Sequence, residues 1–166
     1  MKPFALLLGG RHPNALLELH DICFVMATDQ KEAFKAVVDK WFGDPKSAHV
    51  DAWLDLSIVD GHQINLKTNP SGNKLFFINI GCYQPGVFRE DHQYLFYVCR
   101  NKQEAKTRAL AEWKSKATMS HVDNLMDIDS LIEVAQIGGT QLGWEKDPTS
   151  LPTPIHVGYW PLTKYR

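Results

Sequence analysis

The sequence predicts an α+β fold made by tandem duplication. It reads as two copies of a ββαββ unit related by a pseudo-twofold axis, with antiparallel sheets and two helices. Three observations predict it. First, residues 2–57 lie on residues 74–129 without a gap, so that Lys2, Gly9, Pro13, Glu18, His20, Phe24, Trp41 and Asp55 meet Lys74, Gly81, Pro85, Glu90, His92, Phe96, Trp113 and Asp127. A fixed-period self-match marks a repeat architecture before any local signal does. Second, each copy carries short apolar runs around a single helical stripe. Third, a copy of about 65 residues is marginal on its own core. The copies, 2–66 and 74–144, are therefore expected to share a core within one globular domain, with 145–166 as a tail.

Each copy opens with an apolar run, Phe4–Leu8 or Leu75–Ile80, bounded by Gly, as a buried strand should be. A loop follows, Gly9–Asn14 or Gly81–Gly86, and then a second strand, about Ile22–Ala27 or Tyr94–Cys99. Asp29 with Glu32, and Asn101 with Glu104, have capping-box spacing and start a helix. In copy one Ala33, Phe34, Val37, Val38, Trp41 and Phe42 form its apolar stripe, and Gly43 ends it. Copy two keeps Ala105, Ala109, Leu110 and Trp113. After the helix, Leu54, Leu56 and Ile58 alternate with polar residues as a half-buried strand, and Asp60-Gly61 is a hairpin turn into His62–Leu66. Copy two repeats this as Met126–Ile137, Gly138-Gly139 and Thr140–Trp144. Gly61, Gln63 and Ile64 there meet Gly139, Gln141 and Leu142, which sets six added residues within that stretch. Residues 67–73 form a turn-rich linker. In the tail, Ile155–Trp160 reads as an edge strand or a clasp.

Charge is balanced, 18 Lys+Arg against 19 Asp+Glu, which gives no global case for nucleic acid. The local basic stretch Lys102, Lys106, Arg108, Lys114 and Lys116 reads as a solvated helix face. Cys23, Cys82 and Cys99 are odd in number and lack CxxC spacing, so a reducing, cytoplasmic compartment with no disulfides and no zinc site is expected. No run reaches membrane-spanning length. The N-terminal apolar run is shorter than a secretory core region.

Leu-Gly-Gly-Arg and Glu-Leu-His-Asp in copy one, with Phe-Ile-Asn-Ile-Gly-Cys-Tyr-Gln-Pro-Gly and Glu-Asp-His in copy two, resemble the bacterial domain-of-unknown-function family 1543. The resemblance covers about residues 2–144. Cys82 and Gln84 depart from the family's pattern, which has Gly and Asp there. It implies a small cytosolic bacterial α+β protein carrying two copies of the unit, and it lends no activity.

Two repeated constellations carry candidate chemistry. Glu18 with His20, and Glu90 with His92, share a face if extended. That face continues as Ile22, Phe24 and Met26, or Tyr94, Phe96 and Val98. A carboxylate and an imidazole at an apolar rim suit a general base or a metal-ligand pair. The plainer reading is an internal Glu–His hydrogen bond. His49 with Asp51, and His121 with Asp123, offer an imidazole and carboxylates suited to Mg²⁺ or Mn²⁺. The plainer reading is Asp side chains capping backbone amides. A third feature is the loop pair. Arg11 and His12 in copy one stand against Tyr83 and Gln84 in copy two, and Arg11 has the fork for a carboxylate or phosphate. A ligand site is expected where the loops 9–18 and 81–90 meet.

No nucleophile motif is present. The sequence therefore reads as a non-catalytic module for a small anionic ligand or a protein partner, without a cofactor, nucleic acid or membrane, as a monomer or homodimer. The alternative is a metal-assisted hydrolase or isomerase using the Glu-x-His and His-Val-Asp residues. Convergence of these side chains around a cleft separates the two.

Overall fold

The first long strand of each copy, β1 (Lys2–Gly10) and β6 (Lys74–Tyr83), is apolar on both faces and takes the centre of a sheet. A computed structural model of the chain describes all residues except 67–71, 117–125, 148 and 152. The remaining elements are β2 (Leu19–Ala27), α1 (Gln30–Val37), β3 (His49–Asp55), β4 (Ile58–Val59), β5 (His62–Asn65), β7 (Glu90–Cys99), α2 (Lys102–Lys116), β8 (Met126–Val134), β9 (Gln136–Ile137), β10 (Thr140–Gln141), β11 (Gly143–Lys146) and β12 (His156–Pro161), closed by a 3-10 turn, Leu162–Tyr165. The fold is α+β, and the long strands pair antiparallel. The chain divides into two compact units, Met1–Gly61 with Ile137–Thr140 and Thr149–Arg166, and His62–Gln136 with Gln141–Pro148. Among the described residues no helix is long and apolar enough to cross a membrane.

In the first unit β1 lies between β2 and β3, and β12 adds an outer strand on β3. The tail is thus an edge strand, with Pro161 at its end, where a missing amide donor does little harm. One face of the sheet, Phe4, Leu6, Leu8, Val25, Ala27 and Val50, packs on Ala33, Phe34 and Val37 of α1. In the second unit β6 lies between β7 and β8 in the same order. There Phe76, Ile78, Ile80, Leu95 and Tyr97 pack on Ala105 and Ala109 of α2. Here β11 also pairs with β5, with Trp144 opposite Ile64. Asp60 and Gly61 have φ of 53° and 67°, and Gly138 and Gly139 have 57° and 79°, the paired left-handed geometry of a tight hairpin turn.

Three expectations need correction. The first is the end of the copy-one helix, expected to run to Phe42. It stops at Val37, and Trp41 leaves the helix to donate its indole Nε1–H to the Arg11 carbonyl at 3.3 Å. Phe42 is 56% exposed and stacks on Trp41 and His12. In copy two the helix continues through Trp113. Both helices make the cap half of their boxes, Asp29 and Asn101 accepting from the amides of Glu32 and Glu104. The reach-back differs: Glu104 accepts from the Arg100 amide, whereas Glu32 pairs with Lys35.

The second correction is the face of β2 and β7 that bears the histidines. Leu19, Cys23 and Val25 pack on the helix side. His20 therefore lies on the opposite face of the sheet, cross-strand from Gly9.

The third is the alignment of the copies. Gly9 pairs with His49 and Leu8 with Val50; Gly81 pairs with Asp127 and Ile80 with Ile128. The counterpart of His49-Val50-Asp51 is thus Asp127-Ile128-Asp129, so the six added residues precede β8. The ion pairs agree: Lys2 holds Asp55 at 2.9 Å, and Lys74 holds Glu133, six residues beyond Asp127, at 2.8 Å.

Asp55 carries a prediction about acid stability. Burial pushes its carboxyl pKa up, but hydrogen bonds from the Ser57 hydroxyl and amide, together with Lys2, outweigh burial and leave it lowered. A carboxyl lowered in the folded state stabilises above its unfolded value and loses that contribution as pH falls through its folded value. Asp55→Asn is expected to cost about 1 kcal/mol at neutral pH and less in acid. Urea unfolding from about pH 7 to about pH 3 checks this, and a wild-type-to-variant gap that stays constant would refute it.

Candidate functional site

Beyond Leu8 the central strand β1 runs into Gly9, and both neighbours carry polar residues against that glycine. β2 contributes His20, with Glu18 one residue before the strand, and β3 contributes His49 and Asp51. Asp51 has no partner on β1, because Leu8 pairs with Val50 and Leu7 with Ala52. It is the extra residue of a β-bulge, a device that re-aims one side chain while the ladder continues. In the second unit Ile80 pairs with Ile128 and Asn79 with Ser130, which makes Asp129 the bulged residue at the same place.

In the first unit His49 Nε2 lies 3.2 Å from Asp51 Oδ1 and 3.5 Å from Glu18 Oε1. His20 Nε2 lies 3.3 Å from the other Asp51 oxygen. His49 is only 2% exposed, its Nδ1 is 2.8 Å from the Ser47 carbonyl, and its ring packs on Tyr159 with centroids 4.4 Å apart. A carbonyl oxygen only accepts, so Nδ1 carries the hydrogen and donates. Nε2 is then the nitrogen that faces the carboxylates. A bare lone pair against two carboxylates is repulsive; a proton or a cation there makes the arrangement attractive. Asp51 Oδ2 is buried and has no hydrogen-bond donor among the described residues. Burial pushes the Asp51 carboxyl pKa up, His49 and His20 pull against it, and Glu18 adds to the rise.

In the second unit His92 Nε2 faces Glu90 Oε2 at 3.5 Å, and its Nδ1 faces Asp129 Oδ2 at 3.2 Å and Asn79 Oδ1 at 3.1 Å. One donor atom from each of Glu90, His92 and Asp129 lies within 4.8 Å of the others, a spacing that a single metal ion can bridge. Gly9 and Gly81 make room in each unit. A Cβ on Gly9 would sit 2.5 Å from both Asp51 Oδ2 and His49 Nε2, and one on Gly81 would meet Glu90 and Asp129.

Glu18, His20, His49 and Asp51 therefore converge, as do Glu90 and His92, while His121 and Asp123 lie outside the described residues. Pairing within the copies differs from expectation in the first unit, where His20 meets Asp51 and Glu18 meets His49. Asp129 and the Ser47 carbonyl were not singled out from the sequence, and Gly9 and Gly81 only as the starts of the candidate loops. A signal for the aspartate was present. The alternation Val50, Leu54, Leu56 continues in register as Ile128, Ile132, Val134, but the identity of His121-Val122-Asp123 with His49-Val50-Asp51 outweighed it.

The expected ligand residues sit on the loops beside these clusters. Arg11 is exposed, and its backbone is fixed: its amide donates to Ser47 Oγ at 2.7 Å, and its carbonyl accepts from the Asp44 amide at 2.8 Å. His12 accepts from the Asn14 amide at Nδ1. Arg11, His12, Leu17, Glu18, Phe42 and Asp44 border an open cleft of about 990 Å³. Glu18 belongs to both the cleft and the cluster. In the second unit the Tyr83 hydroxyl is held by Glu90, which pushes its pKa up, and Gln84 donates to Asp91, which also takes Arg89. Cys23, Cys82 and Cys99 form no disulfide among the described residues; burial pushes the pKa of Cys23 and Cys82 up, which suits structural rather than nucleophilic thiols.

These features define a duplicated α+β protein with one imidazole–carboxylate cluster built around a bulge in each unit. The chain belongs to the family described as Domain of Unknown Function (DUF1543), whose model matches residues 15–66 and 88–140. Among solved structures it is similar to the crystal structure of a protein Il1583 from Idiomarina loihiensis, at 28% identity over 97% of each chain and a TM-score of 0.69. No curated protein matches it.

Proposed function

We propose that this chain is a metal-assisted hydrolase acting on a small anionic substrate. The observation that carries the reading is the orientation of His49: its Nδ1–H is committed to Ser47, and its Nε2 points at two carboxylates. A histidine whose far nitrogen is tied to a carbonyl is the usual form of a metal ligand. His20, His49 and Asp51 supply donors for a divalent cation, and Glu18, 47% exposed, borders the open cleft. A cation held there would acidify a water and polarise a carbonyl or phosphoryl oxygen; Glu18 would take the water's proton as it adds to that centre and hand it to the leaving oxygen or nitrogen as that bond breaks. Arg11, which also borders the cleft, suits the substrate's anionic group. A non-catalytic module would use the same cleft and the same arginine without turnover.

The test starts from chelator-stripped protein. Zn²⁺ or Mn²⁺ at 100 times its dissociation constant is expected to stabilise the fold by about 2.7 kcal/mol. The same metal should restore hydrolysis of p-nitrophenyl phosphate or of an anionic p-nitrophenyl carboxylate ester. Asp51→Asn combined with Asp129→Asn is expected to abolish both effects. Arg11→Ala should raise KM with little change in kcat, as loss of uniform binding does. Metal binding without turnover would leave the non-catalytic module; no metal binding would remove both the cation site and the hydrolase.

A further inference from the structure

We infer that the two units hold chemically different cations, the first a zinc-class ion and the second a manganese- or magnesium-class ion. The inference rests on the metal-site reading above and adds a selectivity that the duplication alone would not give. The strand register supplies it. Gly9 and Gly81 are equivalent, His20 matches His92, Glu18 matches Glu90, and the bulged Asp51 matches Asp129. Among the residues that face these glycines from the flanking strands, one breaks the match. Opposite Gly9 stands His49; opposite Gly81 stands Asp127.

That exchange changes the donor chemistry. The first unit brings together two imidazoles and two carboxylates, and the second one imidazole with the carboxylates of Glu90 and Asp129; Asp127 takes the register position that the second imidazole has in the first unit. Imidazole nitrogens favour Zn²⁺, Ni²⁺ and Cu²⁺, whereas carboxylate oxygens favour Mg²⁺ and Mn²⁺. His49 is buried against Tyr159 and locked by Ser47, which fixes one nitrogen. Asp127 is exposed, and its Oδ1 accepts from the Ile128 amide. The second unit's polar neighbour is Asn79, whose Nδ2 donates to Asp129 at 3.3 Å. An oxygen-rich site suits an ion that keeps several waters.

The experiment uses the full chain with one site silenced at a time. Asp129→Asn leaves the first unit's site, and Asp51→Asn leaves the second's. Each variant, stripped with chelator and checked for a wild-type circular dichroism spectrum, is titrated calorimetrically with Zn²⁺ and Mn²⁺. The zinc-to-manganese affinity ratio is expected to be higher in the first unit by about tenfold or more. His49→Asp should lower the first unit's ratio toward that of the second. Asp127→His, a substitution at an exposed position, should raise the second unit's ratio and keeps the test open if His49→Asp does not fold. Equal ratios in the two single-site variants, or ratios unmoved by both exchanges, would overturn the inference while the metal sites stand. Binding of neither ion by the wild-type chain would overturn the metal reading beneath it.

Discussion

Trp41→Ala is expected to lower the unfolding free energy by about 3–5 kcal/mol, the range for deleting a large buried aromatic. Trp41 is 7% exposed and belongs to the first core with Phe34, Val37 and Leu8. It also closes the loop that shapes the candidate cleft, donating to the Arg11 carbonyl and packing on Phe42. Gly10 and Gly43 bring backbone against its indole, and a Cβ on Gly10 would come within 2.8 Å of the ring. The hole left by alanine therefore has rigid backbone walls and collapses poorly. Trp113→Ala, the same change in the second copy, is expected to cost less, because Trp113 is only partly buried against its core. Urea unfolding of both variants measures the two losses; equal losses would show that the copies place these side chains equivalently.

Gly9→Ala should disable the first cluster while the fold survives. Its Cβ would stand 2.5 Å from Asp51 Oδ2 and from His49 Nε2. His49 is held by Ser47 and Tyr159, so the methyl is admitted only if both its ring and the Asp51 carboxylate are pushed out of place. The overpacking itself is expected to cost about 1–3 kcal/mol. Displacing the carboxylate should weaken divalent-cation affinity in the first unit by about 10–100-fold. Calorimetric titration of Gly9→Ala, combined with Asp129→Asn to silence the second unit, gives the number. An affinity equal to that of Asp129→Asn alone would mean that Asp51 holds no metal. Gly81→Ala is the matching test in the second unit, where the added methyl would meet Glu90 and Asp129.

By itself the sequence determined the duplication, the α+β class, the family and the start of each helix. These rest on local chemistry: a self-match along the chain, cap residues three apart, and Gly pairs at hairpin turns, each of which the backbone obeys wherever it is placed. It also named Glu18, His20, His49, Asp51, Glu90 and His92 as residues of interest, because polar side chains recurring at fixed spacing stand out in a repeat. Only the tertiary structure decided which of them meet. Glu18 and His49 are thirty-one residues apart, and their approach depends on β1 lying between β2 and β3. The bulge at Asp51 is a property of a strand pair, so no single segment announces it. The register of β8 overruled the sequence alignment in the same way: a ladder must keep Ile128, Leu131 and Val134 buried or half-buried, and that requirement puts Asp127 and Asp129 where identity had suggested His121 and Asp123. The end of α1 went against its own stripe: outside the helix Trp41 is buried against Gly10 and the Arg11 loop, whereas Trp113, which stays helical, is only partly buried, and burial outweighs propensity.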